Sequence, residues 1–434
     1  MPWNWHTLID AAYLLTWPII IVALFVVPRN RKPSSATAWL MLILLLPFLG
    51  ALLFLPTASP RLPRGRGPPD GAATPFTAQR GPEIRATPEL ESVFDPPIPE
   101  RYEPFVELNA NLGGMPACTG NRVELIADYH EAIRRMTAAV DEARDYVHVE
   151  FYILALDRVT EPFFAALENA VRRGVTVRLL ADHMASRGYP RRREMCRRLT
   201  EAGVLWHWML PLRPLSNDWN RPDLRNHRKL LVIDGRTAFT GSLNMIDPTY
   251  HRLRNIRRGA HYVEVVAQVT GPVVFEFNAV FRTDWFSEGG EPIQDLIPPA
   301  RDPHLDWSGS ALCQVLPSGP GYDNDNNLKL FTSLIHAARR KVFITTPYFV
   351  PDDSLMTAIT SAANRGVEVT LLSSERSNQF FVHHAQHSYY EELLRAGVRI
   401  HLLKAPALLH AKHMSIDDDI AVIGSSNLDM RSFT

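Results

Sequence analysis

At 434 residues the chain is long enough for more than one domain and a large buried core. Its 46 Lys and Arg balance 46 Asp and Glu, so no global positive field marks a nucleic-acid partner. The three cysteines, Cys118, Cys196 and Cys313, lack metal-ligand or redox spacing and cannot all pair as disulfides.

The chain opens with two mostly apolar runs, residues 8–27 and 38–56. Each is about long enough to cross a ~30 Å hydrocarbon core as a helix. The connection between them is short and basic, through Arg29, Arg31 and Lys32. Asp10 lies near one end of its run, where a carboxylate reaches the interface and costs less than the ~3 kcal/mol expected at mid-membrane. Residues 1–6 carry no Lys or Arg, which argues against a signal peptide. The expectation is a two-helix transmembrane hairpin over 1–56, with both ends on one side of the membrane. Arg61, Arg64 and Arg66 balance the charges of the turn, so the positive-inside count selects neither side. Residues 57–103 are rich in Pro, Gly and charge and read as an extended tether.

Regular alternation begins near Arg122. Strands VELI, YVHVEFYI, VTVRLLA and VLWHWM alternate with helical stretches that stop at Gly174 and Gly203. After residue 300 the order recurs: CQVL, KVFITTPYF, VEVTLL and VRIHLL, again separated by helical stretches. The matched turns RGV (Arg173, Arg365) and AGV (Ala202, Ala396) set the two copies in register. The fold class is α/β, with largely parallel, helix-covered sheets built twice, over 104–300 and 301–434. The first copy has an extra loop, LPLRPLSNDWNRPDL, after the strand holding Trp206 and Trp208. It is a candidate substrate lid, while the two tryptophans themselves read as packing residues. The basic run 191–198 reads as a solvated helix.

Each copy ends on the same constellation. His227, Lys229, Asp234, Gly241, Ser242 and Asn244 recur at identical intervals as His410, Lys412, Asp417, Gly424, Ser425 and Asn427. Most basic residues of the chain are Arg, yet both copies retain Lys, a compact point charge suited to an oxyanion. Two imidazoles, two ammoniums and two amides suit a phosphodiester, with Lys229, Lys412, Ser242, Ser425, Asn244 and Asn427 stabilising the transition-state oxygens. The lysines supply positive charge, so the inventory requires no metal or cofactor. One histidine must be neutral to attack phosphorus and the other protonated to supply the leaving alkoxide. Asp234 and Asp417 are expected to orient the imidazoles, as the carboxylate of a catalytic triad does.

The pattern resembles the phospholipase D superfamily, whose two motifs run His-x-Lys, then Asp, then Gly-Ser-x-Asn. The segments VEFYI, ITTPYFVPDDSL and GSSNLDMRSF look like bacterial cardiolipin synthases. That resemblance implies a membrane enzyme acting on phosphatidylglycerol and membrane lipids, not nucleic acid, as a multi-pass protein of the bacterial inner membrane. It implies His227 as nucleophile and His410 as acid, although the pseudo-symmetry leaves the assignment open. Family members continue beyond the second motif with further strand and helix and an acidic residue, so a C-terminal truncation is expected. A phospholipase D that hydrolyses or exchanges headgroups would use the same residues. A non-catalytic lipid-binding protein is the alternative of another class.

Overall fold

The computed structural model describes residues 5–29, 33–57, 92–212, 225–289, 291–293, 306–319, 322, 325–377 and 379–429. Most of the tether, residues 213–224 of the extra loop, Arg31 and Lys32 of the basic connection, and 430–434 lie outside them. Two units are distinguished, a small one containing the N-terminal helices and a larger one spanning Gly65–Pro211 and Arg225–Thr434.

The first apolar run forms one helix, α1 (Trp5–Val26). The second is divided into α2 (Pro33–Leu45) and α3 (Pro47–Thr57). Pro47 lacks the N–H that would continue the ladder, and the resulting pieces span roughly 20 Å and 17 Å at 1.5 Å per residue. Among the described residues no helix is long and apolar enough to cross a membrane. The expected two-helix transmembrane hairpin over 1–56 is not shown; the described residues form three apolar helices in its place. Ala23, Val27, Ala36, Ile43 and Phe54 pack together, while Trp17, Phe25, Leu45, Leu52 and Leu55 point outward.

The larger unit begins with α4 (Glu103–Gly113) and β1 (Cys118–Ile126). Next come α5 (Tyr129–Asp141), β2 (Tyr146–Phe151), α6 (Glu161–Arg172), β3 (Thr176–Asp182), α7 (Arg192–Glu201) and β4 (Leu205–Met209). The first motif occupies β5 (Lys229–Ile233) and β6 (Thr237–Gly241), followed by α8 (Leu253–Arg258), β7 (His261–Val263), β8 (Val266–Thr270) and α9 (Val273–Gly289). The second copy runs through β9 (Ala311–Cys313), α10 (Asn326–Ala337), β10 (Lys341–Thr345), β11 (Phe349–Val350), α11 (Asp353–Asn364), β12 (Glu368–Ser374), α12 (Phe380–Arg395) and β13 (Arg399–Leu403). It closes with β14 (Ala407–Leu409), β15 (His413–Ile416), β16 (Ile420–Ile423) and β17 (Leu428–Asp429).

Local chemistry explains the boundaries. Asp128 and Asp352 cap α5 and α11 by accepting the N–H groups of Glu131 and Leu355. Gly174 and Gly366 take matching left-handed conformations, φ 90° and 88°, just past α6 and α11.

The main sheets have orders β4-β3-β2-β5-β6-β8-β1-β9 and β13-β12-β10-β15-β16. In the first sheet β6, β8, β1 and β9 run antiparallel in turn. At the opposite edge, and at one edge of the second sheet, the strands are parallel, as expected: β2 with β3, β3 with β4, β10 with β12, and β12 with β13. The motif strands are not. β5 runs antiparallel to both β2 and β6, and β15 to both β10 and β16. The reason is local. Asp234 and Gly235 have φ 52° and 64°, and Asp417 and Asp418 have φ 52° and 70°, so each motif folds into a tight primed turn. The expected parallel architecture is therefore corrected to mixed sheets.

The first sheet is covered on both faces. Val147, Val149, Leu231 and Phe239 pack with Met136, Phe163 and Phe164 of α5 and α6. Leu230 and Val232 meet Phe281 and Trp285 of α9 on the other face. In the second sheet Val342, Ile344, Val369 and Leu371 pack with Phe331, Leu334 and Ile359. β6 is flanked by β5 and β8, whereas β16 has β15 alone among the described residues. Residues 420–423 of β16 instead line a cavity of about 1090 Å³ whose wall also includes Lys229 and Lys412.

Candidate active site

Strand geometry brings the duplicated residues together. Alternation places His227 and Lys229 on one side of the chain, and His410 and Lys412 likewise. β7, which follows the first motif, pairs in parallel with β14, which leads into the second. At the end of that pairing the Val263 carbonyl accepts both the His410 and Ala411 N–H groups, at 2.8 and 3.0 Å. In return, His227 Nδ1 lies 2.9 Å from the Ser425 carbonyl of the second copy. Each histidine is seated by the opposite repeat.

The two imidazoles occupy unlike settings. A carbonyl can only accept, so Nδ1 of His227 carries the proton and Nε2 of the neutral ring holds a free lone pair. His410 Nδ1 instead faces both oxygens of Glu264, at 2.7 and 2.9 Å. Burial, then the charges of Lys229, Lys412 and His410, hold His227 well below the ordinary histidine value. Burial also pulls His410 down, to about 4, but Glu264 opposes that shift. Burial pushes Glu264 upward, yet His410, Lys412 and the Ser242 hydroxyl outweigh it and keep the carboxyl below its ordinary value.

Both lysines are buried. Lys229 Nζ donates to the carbonyl of His227 at 2.6 Å, and Lys412 Nζ makes the equivalent bond to His410. Lys229 also lies 5.1 Å from the centre of the Tyr152 ring, which packs edge-on against His227. Burial lowers Lys412 to about 8, and burial followed by Lys412 lowers Lys229 well below its ordinary value. An entering anion would favour the charged form of both.

The two motif aspartates are not at the imidazoles. Asp234 accepts the N–H groups of Arg144, Asp145 and Tyr146 at 2.8 to 2.9 Å. Asp417 accepts those of Arg339, Arg340 and Lys341 at 2.7 to 3.3 Å. Each sits at the far end of its strand, roughly 20 Å from its histidine at ~3.3 Å per residue. The expected orienting role is therefore corrected: these carboxylates bind the turn to the start of β2 or β10.

The Ser and Asn pairs also diverge. The Ser242 hydroxyl accepts the Val265 N–H at 2.9 Å, beside Glu264. Asn244 accepts the Ile153 N–H at 3.1 Å and donates to the Tyr250 hydroxyl at 2.8 Å, and that hydroxyl donates to Glu264 at 3.0 Å. Ser425 contributes its carbonyl to His227. The Asn427 Oδ1 is buried with no hydrogen-bond partner among the described residues.

Glu264 was not singled out from the motif, although a carboxylate inside the apolar run YVEVVAQV is a signal of a buried charge with a partner. Glu150, within VEFYI, is a second. Asn226 donates to Glu150 at 2.8 Å and to Asp284 at 3.0 Å, while Arg228 is ion-paired with Asp284. Burial and then Asp284 push Glu150 well above the carboxylate range. This cluster fixes the residues on either side of His227.

Comparison with known proteins places these features in context. The family model described as "Cardiolipin synthase, PLD-like domain" matches residues 136–285 and 331–434. A second, described as "Phospholipase_D-nuclease N-terminal", matches residues 19–55. Cardiolipin synthase A of Pectobacterium atrosepticum is 31% identical over 438 residues, covering 99% of this chain and 87% of that protein. Its counterpart in Proteus mirabilis is 29% identical over 424 residues, covering 97% and 85%. Among solved structures, phosphatidylserine synthase of Haemophilus influenzae shares the fold with a TM-score of 0.55 and 14% identity, over 77% of this chain and 84% of that one.

Proposed function

The chain belongs to the cardiolipin synthase, PLD-like domain family, and from that premise we propose that it joins two phosphatidylglycerol molecules through a phosphohistidine on His227. It is a phosphatidyltransferase. The observation that carries it is the unlike seating of the two imidazoles, one on a carbonyl and one on a carboxylate.

Nε2 of neutral His227 attacks phosphorus, and the bond from phosphorus to the headgroup glycerol oxygen breaks. His410, charged beside Glu264, gives its Nε2 proton to that oxygen and glycerol leaves. The headgroup hydroxyl of a second phosphatidylglycerol then attacks phosphorus, its proton passes to His410, and the P–N bond breaks. Cardiolipin and the starting enzyme result. Lys229 and Lys412 hold the non-bridging oxygens throughout.

Substrate itself makes His410 an acid. An anion ~4 Å away at an effective dielectric constant of ~20 contributes roughly 4 kcal/mol, or about three pKa units. A bound phosphate thus opposes the effect of burial on His410 in the same sense as Glu264 does. The N-terminal helices, with outward Trp17, Phe25, Leu45, Leu52 and Leu55, fit burial of their apolar surface in the bacterial cell membrane.

Phosphatidylglycerol vesicles carrying the full chain are expected to yield cardiolipin and free glycerol. Phosphatidic acid as the dominant product would replace this reading with a phospholipase D.

A further inference from the structure

The loop that follows the first motif carries a cationic and apolar surface that the chemistry above leaves unused. Between residues 252 and 258, only Asn255 is buried; it is tied to Thr249 through its side chain and to Ala260 through its backbone. Arg252, Arg254, Arg257 and Arg258 are all exposed, and none is in an ion pair among the described residues. In a chain of zero net charge this is a local excess. Leu253 and Ile256, three residues apart on one side of α8, are 69% and 53% exposed.

A second apolar tip lies at the start of α12. Phe380 and Phe381 are 69% and 85% exposed, and Arg376 is exposed just before them. α12 is tied toward the motif histidine of the second copy: Gln386 donates to the Ser373 hydroxyl at 2.9 Å, and the adjacent Ser374 hydroxyl accepts the Leu409 N–H, next to His410, at 2.7 Å. Tyr262 packs edge-on against His410 at 5.4 Å. Each tip is thus linked to His410, one through Tyr262 of β7 and the other through Ser373 and Ser374 at the end of β12.

We propose that Leu253, Ile256, Phe380 and Phe381, ringed by Arg252, Arg254, Arg257, Arg258 and Arg376, form a docking face for an anionic lipid bilayer. Aromatic and aliphatic tips enter the acyl boundary while the guanidiniums take the headgroup phosphates, which is the pairing of chemistries an anionic membrane surface offers. Docking presents the side of the site containing His410 to the membrane. The proposal rests on the reading that the substrate is a membrane phospholipid, and it supplies a contact additional to the N-terminal arms.

Two variants of the full chain test it, Phe380→Ser with Phe381→Ser, and Arg254→Glu with Arg257→Glu. Turnover on phosphatidylglycerol vesicles should fall by about tenfold or more in each, since each basic residue near such a surface contributes roughly 1 kcal/mol. Turnover on short-chain, monomeric phosphatidylglycerol by detergent-dispersed protein should not change. Added salt should slow the parent on vesicles and leave the Arg variant comparatively insensitive. Equal losses on vesicles and monomers would overturn the proposal. Independently of activity, amide hydrogen exchange at 252–259 and 379–384 should slow on phosphatidylglycerol vesicles and not on phosphatidylcholine vesicles. Unchanged exchange on the anionic vesicles also overturns it, and protection in detergent that grows with protein concentration assigns the face to a second copy instead. A parent inactive on both substrates would sink the transferase reading, while the exchange measurement would still decide the docking.

Discussion

The two motif strands are built alike and surrounded differently. Both carry a lysine bonded to the carbonyl of its own histidine, and both turn on an aspartate that gathers backbone N–H groups from the neighbouring strand. The difference lies in what each imidazole receives from the other half. His410 meets Glu264, delivered by the segment after β7, whereas His227 meets the carbonyl of Ser425. Duplication thus supplies a pair of equivalent groups, and contacts across the repeats make them inequivalent. A two-step transfer needs that inequivalence, because one ring must arrive neutral and the other charged.

The strongest way to break the comparison is to remove each ring. His227→Ala and His410→Ala should each cost at least the ~10²–10⁴-fold typical of lost acid–base catalysis. They should respond differently to the leaving group. A phosphatidyl ester of p-nitrophenol, which departs without protonation, should restore much of the first-turnover release of p-nitrophenol in His410→Ala and none in His227→Ala. Labelled lipid should trap phosphate on His227. Label on His410 alone would reverse the assignment.

A smaller change tests the carboxylate that separates the two rings. Glu264→Gln keeps the shape and removes the charge, and turnover should fall by roughly 10–100-fold, a typical range for an orienting partner. Glu264 raises the His410 pKa against burial, so its loss must lower it. The alkaline limb of the rate profile, where the general acid loses its proton, should move to lower pH. An unmoved limb would show that Glu264 does not set the protonation of His410.

The shared turns should respond in stability rather than in chemistry. Asp234→Asn and Asp417→Asn each weaken three backbone contacts and should lower unfolding free energy by about 1–3 kcal/mol, measured by denaturant titration. Turnover of the folded fraction should stay near the parent value. A catalytic collapse at unchanged stability would return these residues to the imidazoles. Burial raises the Asp417 pKa, but the N–H groups of Lys341, Arg340 and Arg339 and the charge of Arg101 outweigh it, leaving the group below its ordinary value. Its contribution is therefore present above the unfolded carboxylate value and lost as pH falls through the lower folded value. Asp417→Asn should flatten the acid side of the stability curve.

The mildest test makes the turns identical. Asp418 stands at φ 70° where the first turn has Gly235. Asp418→Gly relieves a left-handed residue, worth about 1–2 kcal/mol. It also removes exposed ion pairs with Lys341 and Arg340, worth ~0–1 kcal/mol each. Thermal unfolding should place the variant within about 1 kcal/mol of the parent. A larger loss would show that the ion pairs hold the second turn.

Much of this was legible in the residues alone. Matched spacing of His, Lys, Asp, Ser and Asn exposed the duplication, and Gly174, Gly203, Gly366 and Gly397 punctuated the helices of both copies. These are local properties: alternation, capping and turn preference act over a few residues, so a linear reading can find them. The Asp-Gly step at 234–235 is also a hairpin signal, and with it the antiparallel pairing of β5 and β6 is legible in the residues. Of the two prolines expected to kink the apolar runs, Pro18 lies inside an unbroken α1 and Pro47 begins a new helix, a difference that the residue type does not decide.

What the sequence by itself determined was the set of reactive groups and their paired layout on an α/β scaffold. What only the tertiary structure decided was which atom faces which ring. Glu264 lies 146 residues from His410, and the Ser425 carbonyl lies 198 residues from His227. Spacing along the chain carries no information about partners that far apart. They meet because β7 pairs with β14 with Val263 opposite Leu409, and that register is a property of the assembled strands, not of either segment alone.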